Sequence, residues 1–307
     1  MATAYPSLEL HDDDLVLTPE TVTFLRNALG KDLTEEEITK ILFEARSSAY
    51  KTMAFPCIRQ FHFVSFFMQR NKIYPHIIEY AQKAPADKAP VVLDLGCCMG
   101  TDLRKLVQDG YPTNKTNTNV YGVDLLPDFV SEGYKLYRDG PETSTPTPIK
   151  FFADDIFTVP LTADGPIAEG TASSLKDLRG KIDILYAGAL FHLFDEEKQF
   201  ALAERLAVLI NTKYSADRNN NEVIIFGRHI GSLEEKKAHR PSEFGGAFGH
   251  SPESWKELWE TILSKQFGKD ILKNTDIYVF KEDLIADSDN VFHKAWLWWS
   301  VTIRLPL

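Results

Sequence analysis

The sequence has few cysteines, no long apolar run and no excess of positive charge, and each shortage excludes a class of protein. Its three cysteines, two of them adjacent at Cys97 and Cys98, make no disulfide framework. No stretch of about 18 apolar residues occurs, so we expect no membrane span. The formal net charge of −10 disfavours a nucleic-acid partner, because an acidic chain repels phosphate backbones. The acidic N-terminus lacks the apolar core of a signal peptide, and we therefore expect a cytoplasmic protein.

The glycine patterns that bind phosphate groups are also missing. After the predicted strand VVLDLG, the series of Gly96, Cys98 and Gly100 matches neither G-x-G-x-x-G nor G-x-x-x-x-G-K-[ST]. Gly96 still permits a turn, Gly100 lets the chain approach a ligand, and the following helix offers free N–H groups. A ligand with an adenosine and a carboxylate but no phosphate remains, and S-adenosylmethionine has that inventory. Because Cys98 is not glycine, we expect its φ to be negative.

Strands and helices alternate through most of the chain, which predicts an α/β fold with a parallel sheet covered on both faces. The last two strands, DIYVFK and AWLWWSVTIRL, are too close in sequence for a helical crossover and are predicted to form an antiparallel hairpin at the sheet edge. Predicted N-cap residues at Thr18 and Thr34 mark the starts of two helices, and the aromatic stretch FPCIRQFHFVSFFMQ follows them. Together they predict an N-terminal helical region that covers the core, which we call the cap. We place this cap at residues 1–72 and the core at 73–307.

The carboxyl ends of the predicted strands carry the residues suited to a ligand, as expected for open α/β sheets. Strand two ends in Asp124, whose carboxylate can accept two hydrogen bonds from a ribose diol. Strand three ends in Asp154, Asp155 and Ile156, where a side-chain oxygen and a backbone N–H suit an adenine ring. Strand four ends in small residues from Ala187 onward, which leave room beside a reacting centre.

The order of these motifs resembles that of class I S-adenosylmethionine-dependent methyltransferases. It runs DLGCCMG, GVD, ADDIF, IDILYAGALFHLF and then the hairpin. The GCC loop, DLRKLVQDG and PCIRQF are similar to segments of fungal O-methyltransferases of meroterpenoid and polyketide pathways. The resemblance implies a Rossmann-like, seven-stranded, mostly parallel sheet and S-adenosylmethionine as cofactor. The superfamily loop is closer to D-x-G-x-G-x-G, and the departure at Cys98 is interpreted as a subfamily trait.

Cys97 and Cys98 have no second Cys or His pair at ligand spacing, so we expect no metal. The resemblance implies roles for individual positions. Asp94 would orient the loop or the methionine amine, Asp124 would hold the ribose, and Asp155 with Ile156 would hold the adenine. The full predicted cofactor site comprises Asp94, Gly96, Cys97, Gly100, Asp124, Leu125, Asp154, Asp155, Ile156 and Ala187.

Two histidines are candidate general bases, and several residues are candidates for acceptor binding. His192 in ALFHLF could instead be a packed histidine, and His229, just past strand five, could be an ordinary loop residue. Arg59 could clamp a carboxylate of substrate or cofactor, or form a surface ion pair. The segment HRPSEFGGAFGHS is interpreted as a lid, with a plain loop as the alternative. The other predicted acceptor-binding residues are Phe61, His62, His239 and His250, although the stripe that contains Phe61 also fits core packing.

Three functions are compatible with these residues. Methyl esterification of a carboxylic acid needs no base, because the acid is already an anion at neutral pH. O-methylation of a phenol or enol, such as a hydroxy-pyrone, would need a histidine base. A non-catalytic methyltransferase-like binding subunit is the third. We expect a small-molecule acceptor, no nucleic acid and no membrane as partners, and we leave a homodimer open.

Overall fold

The computed structural model describes residues 9–85, 88–114, 118–162, 170–213, 221–232, 238–239, 248–284 and 294–305. Its helices are α1 (Pro19–Leu29), α2 (Glu35–Thr52), α3 (Pro56–Arg59), α4 (Tyr74–Gln82), α5 (Thr101–Gln108), α6 (Pro127–Tyr137), α7 (Glu196–Leu209) and α8 (Pro252–Phe267). Its strands are β1 (Val92–Leu95), β2 (Val120–Asp124), β3 (Lys150–Ala153), β4 (Ile184–Gly188), β5 (Glu222–Gly231), β6 (Ala238–His239), β7 (Phe248–Gly249), β8 (Thr275–Leu284) and β9 (Lys294–Arg304).

A seven-stranded sheet in the order β3-β2-β1-β4-β5-β9-β8 forms the centre of the fold. Strands β1 to β5 are parallel, and β9 is antiparallel to both β5 and β8. The predicted Rossmann-like α/β sheet is therefore confirmed. The hairpin differs from a simple edge addition in one respect: β9 inserts beside β5, and only β8 forms the edge.

The N-terminal helices begin where the sequence predicts. The Thr18 side chain accepts a hydrogen bond from the Thr21 N–H at 3.1 Å, and Thr34 forms a capping box with Glu37 at the start of α2. These helices share an apolar cluster with α6, in which Phe24 and Leu42 are buried together with core residues such as Tyr137. The division into a cap at 1–72 and a core at 73–307 stays a prediction.

The two faces of the sheet are covered by different helices. Helices α7 and α8 pack on one face over a core that includes Trp255, Trp259 and Trp299, all fully buried. Helices α4 and α5 cover the other face, where Phe151 and Phe226 belong to a second core. No helix in the described part of the chain is long and apolar enough to cross a membrane.

Candidate active site

The loop between β1 and α5 is folded by backbone hydrogen bonds. The N–H groups of Gly96 and Cys97 both donate to the Val123 carbonyl, at 2.8 and 3.1 Å. The predicted negative φ of Cys98 is wrong: the residue lies in the left-handed region at φ 51°, which costs a non-glycine residue about 1 kcal/mol. This conformation is held from outside the loop, because the Cys98 N–H donates to the Asp124 Oδ2 at 2.8 Å.

The glycines of this loop serve two purposes. At Gly100, with φ 70°, a Cβ atom would lie 2.4 Å from the Phe151 ring, so no side chain fits. A Cβ at Gly96 would meet only Leu190, at 3.5 Å, and this part of the loop therefore borders open space. The side chain of Cys97 packs into the core beneath the loop and is nearly buried. Its thiol donates to the Cys98 carbonyl at 3.8 Å, and the place of Cys97 in the cofactor site stays a prediction.

Two carboxylates flank the loop in a low-dielectric environment. Asp94 is buried and its carboxylate has no hydrogen-bond partner among the described residues. Burial, followed by repulsion from Asp102 and Asp124, raises its pKa well above the ordinary value. The Asp124 carboxylate accepts hydrogen bonds from the N–H groups of Cys98 and Leu126, yet burial still raises its pKa. A cation placed between these acids would be stabilised, which fits the ammonium and sulfonium of S-adenosylmethionine.

The end of β3 contains one structural acid and one that is partly free. Both oxygens of Asp154 accept backbone N–H groups, from Asp155 and Leu175, each at 2.8 Å. Asp155 accepts from the Phe157 N–H through Oδ1, and its Oδ2 has no partner among the described residues. Leu125, at the end of β2, is 57% exposed and offers an apolar surface to a ring. Ile156 is nearly buried beside them.

At the end of β4, the partly exposed residues are the three that follow Ala187, the residue predicted from the sequence. Ala187 is fully buried within the sheet, so the prediction that it borders the cofactor does not fit its placement. Gly188, Ala189 and Leu190 are partly exposed instead. His192 is half-buried on the short 3-10 helix that follows, and its ring centroid lies 6.4 Å from that of Trp296.

The placement predicted for His229 is wrong. The residue lies within β5, is fully buried, and its Nδ1 accepts a hydrogen bond from the Trp299 Nε1 at 3.0 Å. His250 is also buried, with its Nδ1 2.9 Å from the Ser254 Oγ near the start of α8. Both histidines therefore belong to the core between the sheet and α8. The side chain of His239 and residues 240–247 of the predicted lid lie outside the described residues.

A cavity of about 540 Å³ lies between the N-terminal segment, the aromatic stretch and the ends of β5, β8 and β9. We call it the acceptor cavity; it is lined by Asp14, Val16, Gln60, Phe61, His62, Ser65, Phe67, Arg70, Arg228, Glu282, Trp296 and Trp298. The predicted acceptor residues Phe61 and His62 are among them. Arg59 is not among them; its Nη1 forms an ion pair with the lining residue Asp14 at 3.5 Å.

The most notable group in the acceptor cavity is Arg228, which the sequence argument missed. It is 2% exposed, and its guanidinium carbon lies 3.2 Å from the ring centroid of Phe67 and 4.1 Å from that of Trp296. Burial lowers its pKa to about 10, so it remains charged at neutral pH. Arg70 lies 5.6 Å from the same Phe67 ring. No carboxylate of the described residues forms an ion pair with either arginine, an arrangement that suits an anionic ligand.

The histidine of the cavity is kept neutral. Burial, followed by repulsion from Arg228 and Arg70, lowers the pKa of His62 to about 4. The carboxylate of Glu282 is engaged by the Trp298 Nε1, which donates to it at 2.7 Å. The cavity therefore contains two guanidiniums, an uncharged imidazole, aromatic walls and two carboxylates, of which Asp14 pairs with Arg59 and Glu282 accepts from Trp298.

Comparison with known proteins identifies methyltransferases of fungi. The chain is 30% identical to O-methyltransferase phiE of Fungal sp. over 251 residues, which cover 81% of this chain and 74% of that protein. It is 28% identical to O-methyltransferase atr3 of Stereocaulon alpinum, over 74% of this chain and 57% of the relative. It is 26% identical to the asnovolin E/chermesin D methyltransferase nvfJ of Aspergillus novofumigatus, over 74% of this chain and 70% of the relative.

Solved structures with similar folds are more distant. A Burkholderia thailandensis 1,6-didemethyltoxoflavin N1-methyltransferase with bound S-adenosylhomocysteine is 12% identical, with a TM-score of 0.47 over 89% of this chain and 92% of that one. Magnesium protoporphyrin IX methyltransferase from Synechocystis is also 12% identical, with a TM-score of 0.42 over 93% and 95% of the two chains. No model of a protein family matches the chain.

Proposed function

The chain belongs to the S-adenosylmethionine-dependent O-methyltransferases of fungal secondary metabolism, and we propose that it converts the carboxylate of a small metabolite into a methyl ester. The observation that carries the proposal is the state of Arg228. No carboxylate of the described residues forms an ion pair with this buried, charged guanidinium, whose burial is therefore costly. An acceptor carboxylate would relieve that cost through charge-assisted hydrogen bonds. The aromatic walls of the acceptor cavity would cover the apolar body of such an acid.

The cofactor would be held at the opposite, acidic part of the site. Asp124 would accept from the ribose hydroxyls with the lone pairs left by its two backbone donors, and Asp155 would accept from the adenine amino group through Oδ2. Asp94 would pair with the methionine ammonium, which lowers the carboxyl pKa towards its ordinary value.

The proposed reaction requires that the acceptor oxygen be aligned with the methyl carbon, and it requires no proton transfer. When bound, S-adenosylmethionine would supply an activated methyl group: the carboxylate oxygen would bond to the methyl carbon while the electron pair of the breaking C–S bond stayed with sulfur, so that no proton would move. The chain contributes by fixing the acceptor oxygen through Arg228 and by excluding water with the aromatic walls. The neutral His62 is a poor base because its pKa of about 4 lies far below the working pH.

A second candidate function is methylation of a phenol or enol with His192 as base. It is favoured by one observation: His192 is half-buried beside Trp296 of the acceptor cavity. A histidine base typically contributes about 10²–10⁴-fold to the rate.

Matched acceptors distinguish the two functions. Purified enzyme is incubated with S-adenosylmethionine and either 1-naphthoic acid or 1-naphthol, and the methyl ester or methyl ether is quantified. We expect the ester to form and His192→Ala to lower its rate less than about tenfold. Formation of the ether alone, with a loss of about 10²–10⁴-fold in the variant, would support the phenol function and overturn the carboxylate proposal.

A further inference from the structure

In the described part of the chain, the guanidinium of Arg228 lies against aromatic rings and forms no ion pair with a carboxylate. Phe67 covers one side of it at 3.2 Å, and Trp296 lies 4.1 Å away. Cation–π contacts orient a guanidinium without neutralising its charge, whereas a carboxylate partner would do both. The arginine can therefore be fixed in place and still attract an anion.

Of the two rings, Phe67 belongs to the aromatic stretch and not to the sheet. Its backbone N–H donates to the Ser65 carbonyl at 2.8 Å. The N–H of the next residue, Met68, donates to the Asp102 Oδ1 at 3.0 Å, in the first turn of α5. Since α5 begins at the cofactor loop, the Phe67 ring is anchored between that loop and the acceptor cavity.

We propose that Phe67 is a positioning residue for acceptor recognition: its ring keeps the Arg228 guanidinium oriented, with its charge available to the acceptor carboxylate. This inference rests on the proposed function, because it assumes that the acceptor is an acid. Under this proposal, the preference of Arg228 for an acid over its neutral ester depends on an uncharged ring that orients the guanidinium.

The test compares an acid with its ester. Dissociation constants of 1-naphthoate and methyl 1-naphthoate are measured by calorimetry for wild type, Phe67→Leu and Phe67→Tyr. The control is Phe280→Leu, the same change at an exposed ring that lies over Lys72 at 4.4 Å. Binding of S-adenosylhomocysteine verifies that each variant is folded.

We expect Phe67→Leu to weaken naphthoate binding about 3- to 30-fold, as loss of a desolvated cation–π contact predicts, and to change ester binding less than twofold. Phe67→Tyr, which keeps the stacked ring, should restore the preference for the acid, and Phe280→Leu should leave it intact. An unchanged acid-to-ester ratio in Phe67→Leu, while Arg228→Leu loses the preference, would overturn the inference alone. A wild-type protein that does not prefer the acid would overturn the proposed function and the inference with it.

Discussion

The cofactor loop and the acceptor cavity differ in the sign of their charge and in what holds that charge. Around the loop at residues 96–100, the carboxylates of Asp94 and Asp124 are buried, and Asp124 is fixed by backbone N–H groups. In the acceptor cavity, the guanidinium of Arg228 is fixed by aromatic rings. Each half therefore suits a ligand of opposite charge: a cationic cofactor on the acidic side and an anionic acceptor on the basic side.

This division has a chemical consequence under the proposed function. Methyl transfer from a sulfonium to a carboxylate removes one positive and one negative charge together. Both halves of the site then lose part of their electrostatic attraction to what they hold, which favours release of the products. Substitutions in one half at a time test whether the two halves act separately.

The largest effect is expected in the basic half. Replacing Arg228 by Leu removes the charge-assisted hydrogen bonds to the acceptor carboxylate, and kcat/KM for an acid substrate should fall about 10²- to 10³-fold. Initial rates of methyl ester formation measure this loss. Arg228→Lys keeps the charge but loses the planar fork, and should recover only part of the activity. Full activity in the leucine variant would contradict the assignment of Arg228 to the acceptor.

A smaller effect is expected in the acidic half. Replacing Asp124 by Asn puts an N–H donor against one of the two backbone donors and removes a charge, so affinity for S-adenosylhomocysteine should fall about 10- to 100-fold. Asp154→Asn is the matched control. Asp154 accepts from the backbone N–H groups of Asp155 and of the distant Leu175, and its replacement should lower the melting temperature more than the affinity. Equal affinity losses in both variants would refute the separate roles.

The acidic half should also make stability depend on pH. Burial raises the pKa of Asp102 to about 7, against the hydrogen bond from Met68, so the folded chain binds this proton more tightly than the unfolded chain. The resulting stabilisation is present below about pH 4 and is lost as pH rises through 7. Asp102→Asn should therefore gain stability relative to wild type between pH 5 and 8, by about 2 to 4 kcal/mol. Thermal unfolding of both proteins at pH 5 and pH 8 measures this gain. An equal difference in melting temperature between variant and wild type at the two pH values would contradict the prediction.

The smallest effect is expected at Cys98. Its left-handed φ costs about 1 kcal/mol, and Cys98→Gly should change the free energy of unfolding by no more than about 1 kcal/mol while leaving affinity for S-adenosylhomocysteine within threefold. Cys98→Ala keeps the strain and loses the thiol, and should be less stable than the glycine variant. Loss of cofactor binding in both variants would show that the thiol takes part in binding.

The positions of the acidic residues in the fold could be predicted from the sequence, because each lies in or just after a strand with a clear apolar pattern. Asp94, Gly96 and Gly100 lie in one strand–turn–helix unit, Asp124 ends β2, and Asp155 follows β3. The conformation of Cys98 escaped prediction, because a hydrogen bond from another strand end imposes it. Likewise, nothing local distinguishes the buried Ala187 from the partly exposed residues after it.

The basic half could not be predicted in the same way. Neighbouring residues of a strand point to opposite faces of the sheet. His229, the predicted residue of β5, therefore points into the core, whereas its neighbour Arg228 faces the cavity. The rings that hold Arg228 come from the aromatic stretch and from β9, which are far apart in sequence. An arginine near the end of a central strand indicates a binding site only when the side chains around it are known.

Calorimetric titration of wild type and Arg228→Leu with S-adenosylhomocysteine tests the separation of the two halves most directly. We expect micromolar-range binding by both proteins, because Arg228 belongs to the acceptor cavity. Abolished binding in folded Arg228→Leu would place the arginine on the cofactor carboxylate and contradict the division between an acidic cofactor half and a basic acceptor half.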